Sequence, residues 1–352
     1  MIRAIKDATS IRATIYAALT VLVAAALGSP PAAAQPVADF YRDKTIDIVV
    51  GYTPGGGYDL AARVLSRHMG KYIPGEPKMI VRNMPGAGTV LAANHVNNIA
   101  AKDGTVIAIY ADLMPVAKLL DVPGVQFDPA KFGWIGSITS RGMPTLIVRK
   151  DAPATTLDGI RKTEVLIGAS GPDATSSYAY LLNDLLGTKL KVLAGYTGGS
   201  SQIDLAIQRG EVHGRASADW NDRKHLSLWT DLTVPVLSLS LQRSTDPATK
   251  DVPLAVDQAR SEEDRQIMEL VLGTNKFFRA FSTPPGVPAD RLAALRDAFA
   301  KTMKDPEFVK EFIVGAPSGL DVTTHEEIEA FVARINKFPP NVVKRAAKYV
   351  SF

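Results

Sequence analysis

Three consecutive glycines stand in the stretch GYTPGGGYD, Gly51 to Asp59, between an apolar run and a segment with helical spacing. Glycine adopts left-handed backbone conformations without steric cost and lets a ligand approach the chain closely. The spacing of Gly51 and Gly56 fits the phosphate-loop pattern GxxxxGK[ST], but Gly57 occupies the lysine position and Tyr58 the hydroxyl position. Because the side chains that hold a terminal phosphate and magnesium are missing, the pattern argues against nucleotide hydrolysis.

No catalytic or metal-binding constellation stands out elsewhere in the sequence. GASGP, residues 168–172, approaches the nucleophile elbow GxSxG, but Pro172 replaces the final glycine, which favours a hydroxyl beside the backbone at Ser170 over a nucleophile. The five histidines form no HxxxH or HExxH pair, and the chain has no cysteine, so no local zinc signature exists. The sequence therefore predicts no catalytic residues, no metal site and no cofactor.

Four turns rich in glycine, serine and threonine each follow a predicted strand and open a predicted helix: TPGGGYD, NMPGAGT, ASGPDATSS and GYTGGSS. Parallel strands place such turns at one edge of a sheet, where α/β proteins bind ligands. Helix amino termini offer unpaired N–H groups and a partial positive charge, so these turns suit a carboxylate or phosphate without any lysine or arginine. Each turn taken alone also fits ordinary chain reversal and helix capping.

Short β-branched runs alternate with helical patterns along most of the chain. IDIVVGY (46–52) and TVIAIY (105–110) predict strands, and LAARVLSRHMGKYI (60–73) predicts a helix with one apolar face. A second series begins near VLIGAS (165–170), and the tail after Pro288 is mostly helical. The alternation predicts parallel sheets with right-handed crossovers, arranged in two α/β domains with a cleft between them.

The amino terminus is typical of a secretory signal peptide. A charged start precedes fourteen apolar residues, IYAALTVLVAAALG, and a small-residue site ends at Ala34. Pro30 and Pro31 close the apolar stretch short of the roughly 20 residues that a membrane-spanning helix needs. Cleavage after Ala34 would leave 318 of the 352 residues, a length typical of two domains.

Most of the net positive charge belongs to that leader. Its loss removes Arg3, Lys6 and Arg12 against Asp7, which lowers the net charge from +4 to +2. No basic patch with interleaved aromatic residues remains, so a nucleic-acid partner is not expected. No later stretch is apolar enough to span a bilayer.

The segments FYRDKTIDIVVGYTPGGGYDLAARVLSRHM, VRNMPGAGTVLAANHV and AAKDGTVIAIY resemble the amino-terminal domain of Bug-type receptors, the solute receptors of tripartite tricarboxylate transporters. The likeness continues in order through VLIGASGPDATSSYAYLLNDLLG, GYTGGSSQIDLAIQRGEVHGRAS and FSTPPGVPADRLAALRDAFAKTMKDPEFVKE. It implies a type II-like periplasmic binding protein, with two α/β domains joined by crossover strands. Residues 35–138 and 245–352 are expected to form domain 1 and residues 139–244 domain 2, after removal of residues 1–34.

In that family, the turn after the first strand and a Ser/Gly turn in the second domain grip a ligand carboxylate through backbone N–H groups, hydroxyls and water. Carried onto this sequence, the first grip is Thr53 to Asp59 and the second is Ser170 to Ser176. Selectivity is expected from side chains at the distal end of the cleft. The predicted ligand-binding residues are Thr53, Pro54, Gly55, Gly56, Gly57, Tyr58, Asp59, Tyr110, Ser170, Gly171, Asp173, Ala174, Thr175, Tyr196, Arg215 and Trp220.

Several of these side chains have an alternative role. Asp59 either contacts the ligand or caps the turn or the helix. Tyr58 either lines the cleft or packs on the sheet edge. Arg215 either clamps a second carboxylate or forms an ordinary surface ion pair. Asp173 would repel an anionic ligand unless it caps a helix or bonds a ligand amine or hydroxyl.

The resemblance implies a monomeric periplasmic receptor that captures a small carboxylated solute and delivers it to the membrane subunits of a tripartite transporter. One alternative is a sensing protein that feeds a signalling partner. Another, less favoured, is a periplasmic hydrolase that uses Ser170 or His213. The sequence leaves the identity of the solute open, because backbone N–H groups recognise carboxylates generically.

Overall fold

Two β-sheets flanked by helices form the fold. The computed structural model describes residues 36–139, 143–171, 174–196, 200–220, 227–244, 246–315 and 319–350. The predicted signal peptide, residues 1–34, lies outside these ranges. Within them, no helix combines the length and the apolar character that crossing a bilayer requires.

The secondary structure follows the predicted alternation of strands and helices. The strands of the described ranges are β1 Thr45–Val50, β2 Lys78–Asn83, β3 Val106–Ile109, β4 Gly133–Ser137, β5 Pro144–Arg149, β6 Val165–Ala169, β7 Leu190–Ala194, β8 Gly214–Asp219, β9 Thr233–Ser238, β10 Ala280–Thr283 and β11 Thr323–Thr324. The α-helices are α1 Val37–Tyr41, α2 Gly57–His68, α3 Val90–Asn98, α4 Leu157–Lys162, α5 Ala174–Leu186, α6 Ser200–Arg209, α7 Ser227–Leu232, α8 Glu262–Gly273, α9 Ala289–Thr302, α10 Pro306–Gly315, α11 His325–Ile335 and α12 Pro340–Ala346. Short 3₁₀ segments lie at Gly70–Tyr72, Ala87–Thr89, Met114–Val116, Pro129–Lys131, Val256–Gln258, Thr274–Phe277 and Ala347–Tyr349.

The first sheet has the strand order β11-β4-β10-β3-β1-β2. β1 pairs in parallel with β2 and β3, and Val50 lies opposite both Asn83 and Ile109. These three strands end at one level, so the turns that follow them share one edge of the sheet. β10 runs antiparallel to β3 and β4. The prediction of parallel sheets is therefore wrong for this strand, because the chain returns to the sheet in the opposite direction.

The second sheet has the strand order β7-β6-β8-β5-β9. β6 is parallel to β7, with Ala169 opposite Ala194, and parallel to β8, with Ile167 opposite Gly214. β5 is antiparallel to both of its neighbours, so this sheet is mixed as well. The turns after β6 and β7 lie along one edge.

A single apolar cluster contains residues of both sheets. It includes Val49 and Ala108 of the first sheet, Leu146 and Ile167 of the second, and Leu270 of α8; we call it the central cluster. Side chains alternate between the two faces of a sheet, so the residues next to these along each strand pack on the opposite face. The other face of the first sheet packs against α2 in a separate apolar cluster.

Two connections between the sheets run side by side. The chain leaves the first sheet after β4 and returns to it just before β10. Ser137 Oγ and Thr139 Oγ1 lie 3.0 Å and 3.1 Å from the carbonyl oxygen of Phe278. The N–H group of Ile138 donates to the carbonyl of Arg279 at 3.3 Å. The outgoing and returning segments are thus hydrogen-bonded to each other.

Candidate ligand-binding site

The turn between β1 and α2 leaves the amino terminus of that helix uncovered. Residues 53–57 are exposed, and Gly55 has a φ of +93°, which glycine adopts without strain. Gly56, just before the helix, has φ −82° and ψ 172°, and no side chain caps the helix. A Cβ placed on Gly55 or Gly56 would meet no heavy atom within 4 Å. The turn therefore leaves room for a ligand group to approach the first N–H groups of α2.

Asp59, which is only 2% exposed, stabilises this glycine turn through hydrogen bonds. Its Oδ2 accepts hydrogen bonds from Gly55 N at 2.9 Å and Arg63 Nε at 2.8 Å. Its Oδ1 accepts from Arg63 Nη2 at 3.0 Å and Asn83 Nδ2 at 2.8 Å. Burial alone would raise the pKa of this carboxyl, but the hydrogen bonds outweigh burial and lower the pKa to about 2. The carboxylate is charged at neutral pH and held by the protein, which matches the capping alternative.

Tyr58 lies among aromatic and polar groups at the end of the sheet. Its ring stacks on Tyr52 with centroids 4.4 Å apart and meets Phe278 edge-on at 5.4 Å. Asn83, the last residue of β2, donates to the carbonyl of Tyr52 at 2.9 Å. These contacts fix the chain on both sides of the glycines, and they match the packing alternative for Tyr58.

The neighbouring turn after β2 has an unusual backbone. Residues 86–89 all have positive φ, of +147°, +47°, +58° and +78° in order. Such angles cost energy at Ala87 and Thr89 and persist only where the surroundings fix them. Thr89 Oγ1 accepts a hydrogen bond from Ala111 N at 3.1 Å. A Cβ on Gly51 would lie 2.6 Å from the Cβ of Thr89, so the close approach of the two turns requires glycine at position 51.

The second predicted grip follows β6 and opens α5. The N–H of Ser170 donates to Thr175 Oγ1 at 2.9 Å, and the two hydroxyl oxygens lie 3.1 Å apart. Ser176 Oγ donates to the carbonyl of Gly171 at 2.6 Å, and a Cβ on Gly171 would meet no heavy atom within 4 Å. Asp173 lies outside the described residues. The described part of this turn combines serine and threonine hydroxyls with an open glycine.

Two of the side chains predicted at the distal end of the cleft lie in the core. Tyr110 is 2% exposed, its ring stacks on Phe132 at 5.8 Å, and burial raises its pKa. Trp220 is 3% exposed and packs with Trp229 in a small cluster against which Tyr196 is partly buried. In this conformation neither Tyr110 nor Trp220 presents its ring to solvent. Their contact with a ligand stays a prediction, and it would require this packing to open.

Arg215 is 2% exposed, and its guanidinium supports the start of α6. Nη1 donates to Asp204 Oδ1 at 2.9 Å, and Nη2 donates to Ser200 Oγ at 2.8 Å. The predicted ion pair is present, with Asp204, but its expected place on the surface is wrong, because Arg215 is buried beneath the helix. Contact with a ligand carboxylate would require Arg215 to leave its buried partners.

Ser170 and His213 lie at opposite ends of the second sheet. His213 Nδ1 accepts a hydrogen bond from Leu166 N at 3.0 Å, near the amino end of β6, whereas Ser170 follows the carboxyl end. Four strand residues separate these positions by about 13 Å. The two side chains cannot act together as nucleophile and base. In the part of the chain that the structure describes, no group of three or more His, Asp and Glu side chains could hold a metal ion.

The returning segment before β10 contacts elements of both predicted grips. Asn275 Oδ1 accepts a buried hydrogen bond from Tyr178 OH of α5 at 2.9 Å. Four residues later, Arg279 approaches the first turn: a Cβ on Gly57 would lie 3.1 Å from Arg279 Nη2. The segment therefore connects the helix of the second grip to the glycines of the first.

Four residues of this arrangement escaped the sequence prediction. Arg63 stands four residues after Asp59, a spacing that places both on one helix face and could have indicated their ion pair. Asn83 ends a predicted strand beside the first turn. Asn275 and Arg279 carry no motif, because their contacts join residues about 100 or more positions apart in the chain.

Two mixed α/β sheets with helices, linked by adjacent crossovers, define the fold of a periplasmic binding protein, which confirms the predicted fold class. No family model matches the chain. A TctC solute-binding protein from Polaromonas is similar to it with a TM-score of 0.66 and 19% identity, over 87% of this chain and 99% of that one. MatC from Rhodopseudomonas palustris, solved with bound malate, is similar with a TM-score of 0.53 and 20% identity, over 86% and 99%.

In sequence, the chain is similar to the UPF0065 protein in the gbd 5′ region of Cupriavidus necator. The two are 37% identical over 134 residues, which are 38% of this chain and 39% of that protein. The chain thus matches about two fifths of the length of this curated relative. Together these likenesses confirm the predicted resemblance to TctC and Bug-type receptors, and the solved structures establish it at the level of the fold.

Proposed function

We propose that the chain is a periplasmic receptor of the tripartite tricarboxylate type, which closes its two domains on a small organic acid. The observation that carries this proposal is the uncovered amino terminus of α2 at Gly55 and Gly56. It lies at the carboxyl edge of parallel strands, where folds of this kind bind ligands, and helix amino termini attract anions. Support also comes from the fold shared with the TctC protein and from MatC, whose structure contains malate.

The proposed domains follow the two sheets. Residues 35–138 and 245–352 would form domain 1, a range that includes all strands of the first sheet, and residues 139–244 would form domain 2 with the second. In the closed receptor, N–H groups within residues 53–59 other than Pro54, which has none, and Gly55, which donates to Asp59, would bind the ligand carboxylate. The turn at residues 170–176 would contact the ligand through hydroxyls and N–H groups. Closure gains free energy only from contacts that the open form lacks, and the two proposed turns would supply such contacts.

The proposed role ends with delivery of the unchanged ligand to the membrane subunits of a transporter. A leader at residues 1–34 would export the chain to the periplasm. Binding without chemistry is supported by the proteins of similar fold, which are solute-binding receptors. The separation of Ser170 from His213 also argues against a hydrolase in which the two side chains act together.

A thermal-shift panel tests the proposal. It would comprise mono-, di- and tricarboxylates, aromatic acids and amino acids, with malate among them. An acid at 100 times its Kd stabilises the folded state by about 2.7 kcal/mol. For a chain of this length the unfolding entropy converts that gain into a rise of about 4 °C in melting temperature.

Calorimetric titration and product analysis complete the test. We expect one acid bound per chain and recovered unchanged. An unaltered melting temperature with every acid of the panel would contradict carboxylate binding. Conversion of a bound acid into a new product would contradict the receptor role.

A further inference from the structure

Arg279 lies beside the first turn, although its position in the chain is remote from that turn. The terminal Nη2 lies 3.1 Å from where a Cβ on Gly57 would stand. The guanidinium carbon lies 4.8 Å from the ring centroid of Phe278 and 5.5 Å from that of Phe312, and Nη1 lies 3.4 Å from Thr139 Oγ1. The side chain is half-buried, so these contacts restrict the positions that the guanidinium can reach.

The backbone at Arg279 adopts a left-handed conformation, which costs energy for arginine. Its φ is +74°, in the left-handed region that glycine and asparagine adopt most easily. The surroundings fix this conformation, since its carbonyl accepts from Ile138 N at 3.3 Å and the preceding carbonyl lies within 3.0 Å of Ser137 Oγ. An asparagine would fit the same backbone at lower cost, so an exchange to asparagine removes the guanidinium without adding backbone strain.

The guanidinium of Arg279 adds positive charge beside the first turn. The amino terminus of α2 carries a partial positive charge, and a guanidinium next to it adds a second one. An ionised carboxylate beside both is attracted by each, and charge-assisted hydrogen bonds from guanidinium are about twice as strong as neutral ones.

We propose that Arg279 binds the ligand carboxylate together with the N–H groups of α2, and thereby fixes the orientation of the ligand in the cleft. This inference rests on the proposed receptor function. The ionised end of the acid lies on the first turn, next to Gly57 and Arg279. The opposite end faces the turn at Ser170 and Thr175, where hydroxyl groups suit hydroxyl or carbonyl groups of the ligand.

The central variant is Arg279→Asn, which suits the left-handed backbone and removes the charge. Malate, succinate and benzoate serve as probes, each measured against the wild-type protein by thermal shift and titration. We expect the melting temperature of the ligand-free variant to stay nearly equal, because relief of the backbone strain offsets the lost contacts with Phe278 and Phe312. The affinity for a probe that stabilises the wild-type protein should fall about 10-fold to 100-fold, the range expected for losing a charge-assisted hydrogen bond.

Two further variants separate binding from structure. Arg279→Lys keeps the charge without the planar fork, so it should retain part of the affinity. Arg82→Asn is the matched control, because Arg82 pairs with Asp47 at 2.7 Å on the exposed surface of the same sheet. That control should leave both the melting temperature and the affinity nearly unchanged.

Each outcome decides the inference. Full affinity in Arg279→Asn would overturn it and leave the receptor proposal standing. A lower ligand-free melting temperature in both Arg279 variants, with binding lost equally in both, would assign this arginine a structural role and also overturn it. Failure of all three probes and of the wider acid panel to stabilise the wild-type protein would remove both proposals together.

Discussion

Replacing Gly56 by serine should make the ligand-free protein more stable and a weaker receptor. The backbone at Gly56, with φ −82° and ψ 172°, is open to any residue, and its Cβ position is free of neighbours within 4 Å. A serine at this position can accept a hydrogen bond from the N–H of Tyr58 or Asp59 and so cap α2. We propose those same N–H groups as contacts for the ligand carboxylate, so the cap and the ligand compete.

The expected gain in stability is small but measurable. A serine cap exceeds a glycine by a few tenths of a kcal/mol, and loss of glycine's freedom in the unfolded chain adds about 0.4–1 kcal/mol. The sum, about 1 kcal/mol, corresponds to a rise of about 1–2 °C in the melting temperature of a chain of this length. Loss of one charge-assisted hydrogen bond to the ligand costs about 1.5–3 kcal/mol, which weakens binding about 10-fold to 100-fold.

Urea unfolding and calorimetric titration with the best acid of the panel measure the two effects. Ser261→Gly provides the reverse exchange at a helix remote from the site, since Ser261 Oγ accepts from Asp264 N at 3.1 Å and caps α8. This control should lower stability slightly and leave affinity unchanged. Full affinity in Gly56→Ser would refute the assignment of the α2 amino terminus as the carboxylate site. A parallel loss of stability and affinity would mean that the glycine serves only the turn.

Two further predictions concern buried charges. Asp59→Asn should lower the free energy of unfolding by about 2 kcal/mol at pH 7, because a carboxyl whose pKa falls from 3.8 to about 2 on folding adds stability above pH 4. That contribution disappears as the pH falls from 4 toward 2, so urea midpoints of variant and wild type should converge at pH 2. Arg215→Met should lower the free energy of unfolding by about 3 kcal/mol in urea unfolding, because it removes the charge that pairs with Asp204 beneath α6. A changed preference within the acid panel would instead return Arg215 to the ligand site.

The order of elements was predictable where local pattern determines structure. Apolar spacing marked α2, and β-branched runs marked β1 and β3, because one face of each must be buried. The direction of β10 could not be predicted, since its pattern is the same whether it runs parallel or antiparallel. Helix α8 was overlooked even though Ser261 and an acidic first turn announce its start.

The candidate site was predictable only in its local part. The glycine turns were visible because glycine is rare inside regular elements. The burial of Tyr110 could have been derived, because Ala108 two residues earlier on the same strand face also lies in the central cluster. The approach of Arg279 to Gly57 could not, because it depends on how the returning connection passes the first sheet.

The central cluster has a thermodynamic consequence for the whole chain. Separating residues 139–244 from the remainder would expose the part of the central cluster formed by Leu146 and Ile167 to water. Each Å² of apolar area so exposed would cost about 25 cal/mol of free energy. The two sheets therefore form one cooperative unit, and neither is expected to fold well as an isolated fragment. The proposed closing of the cleft would therefore bend the chain around this cluster without separating it. A ligand that binds at the edge of one sheet consequently protects both from unfolding.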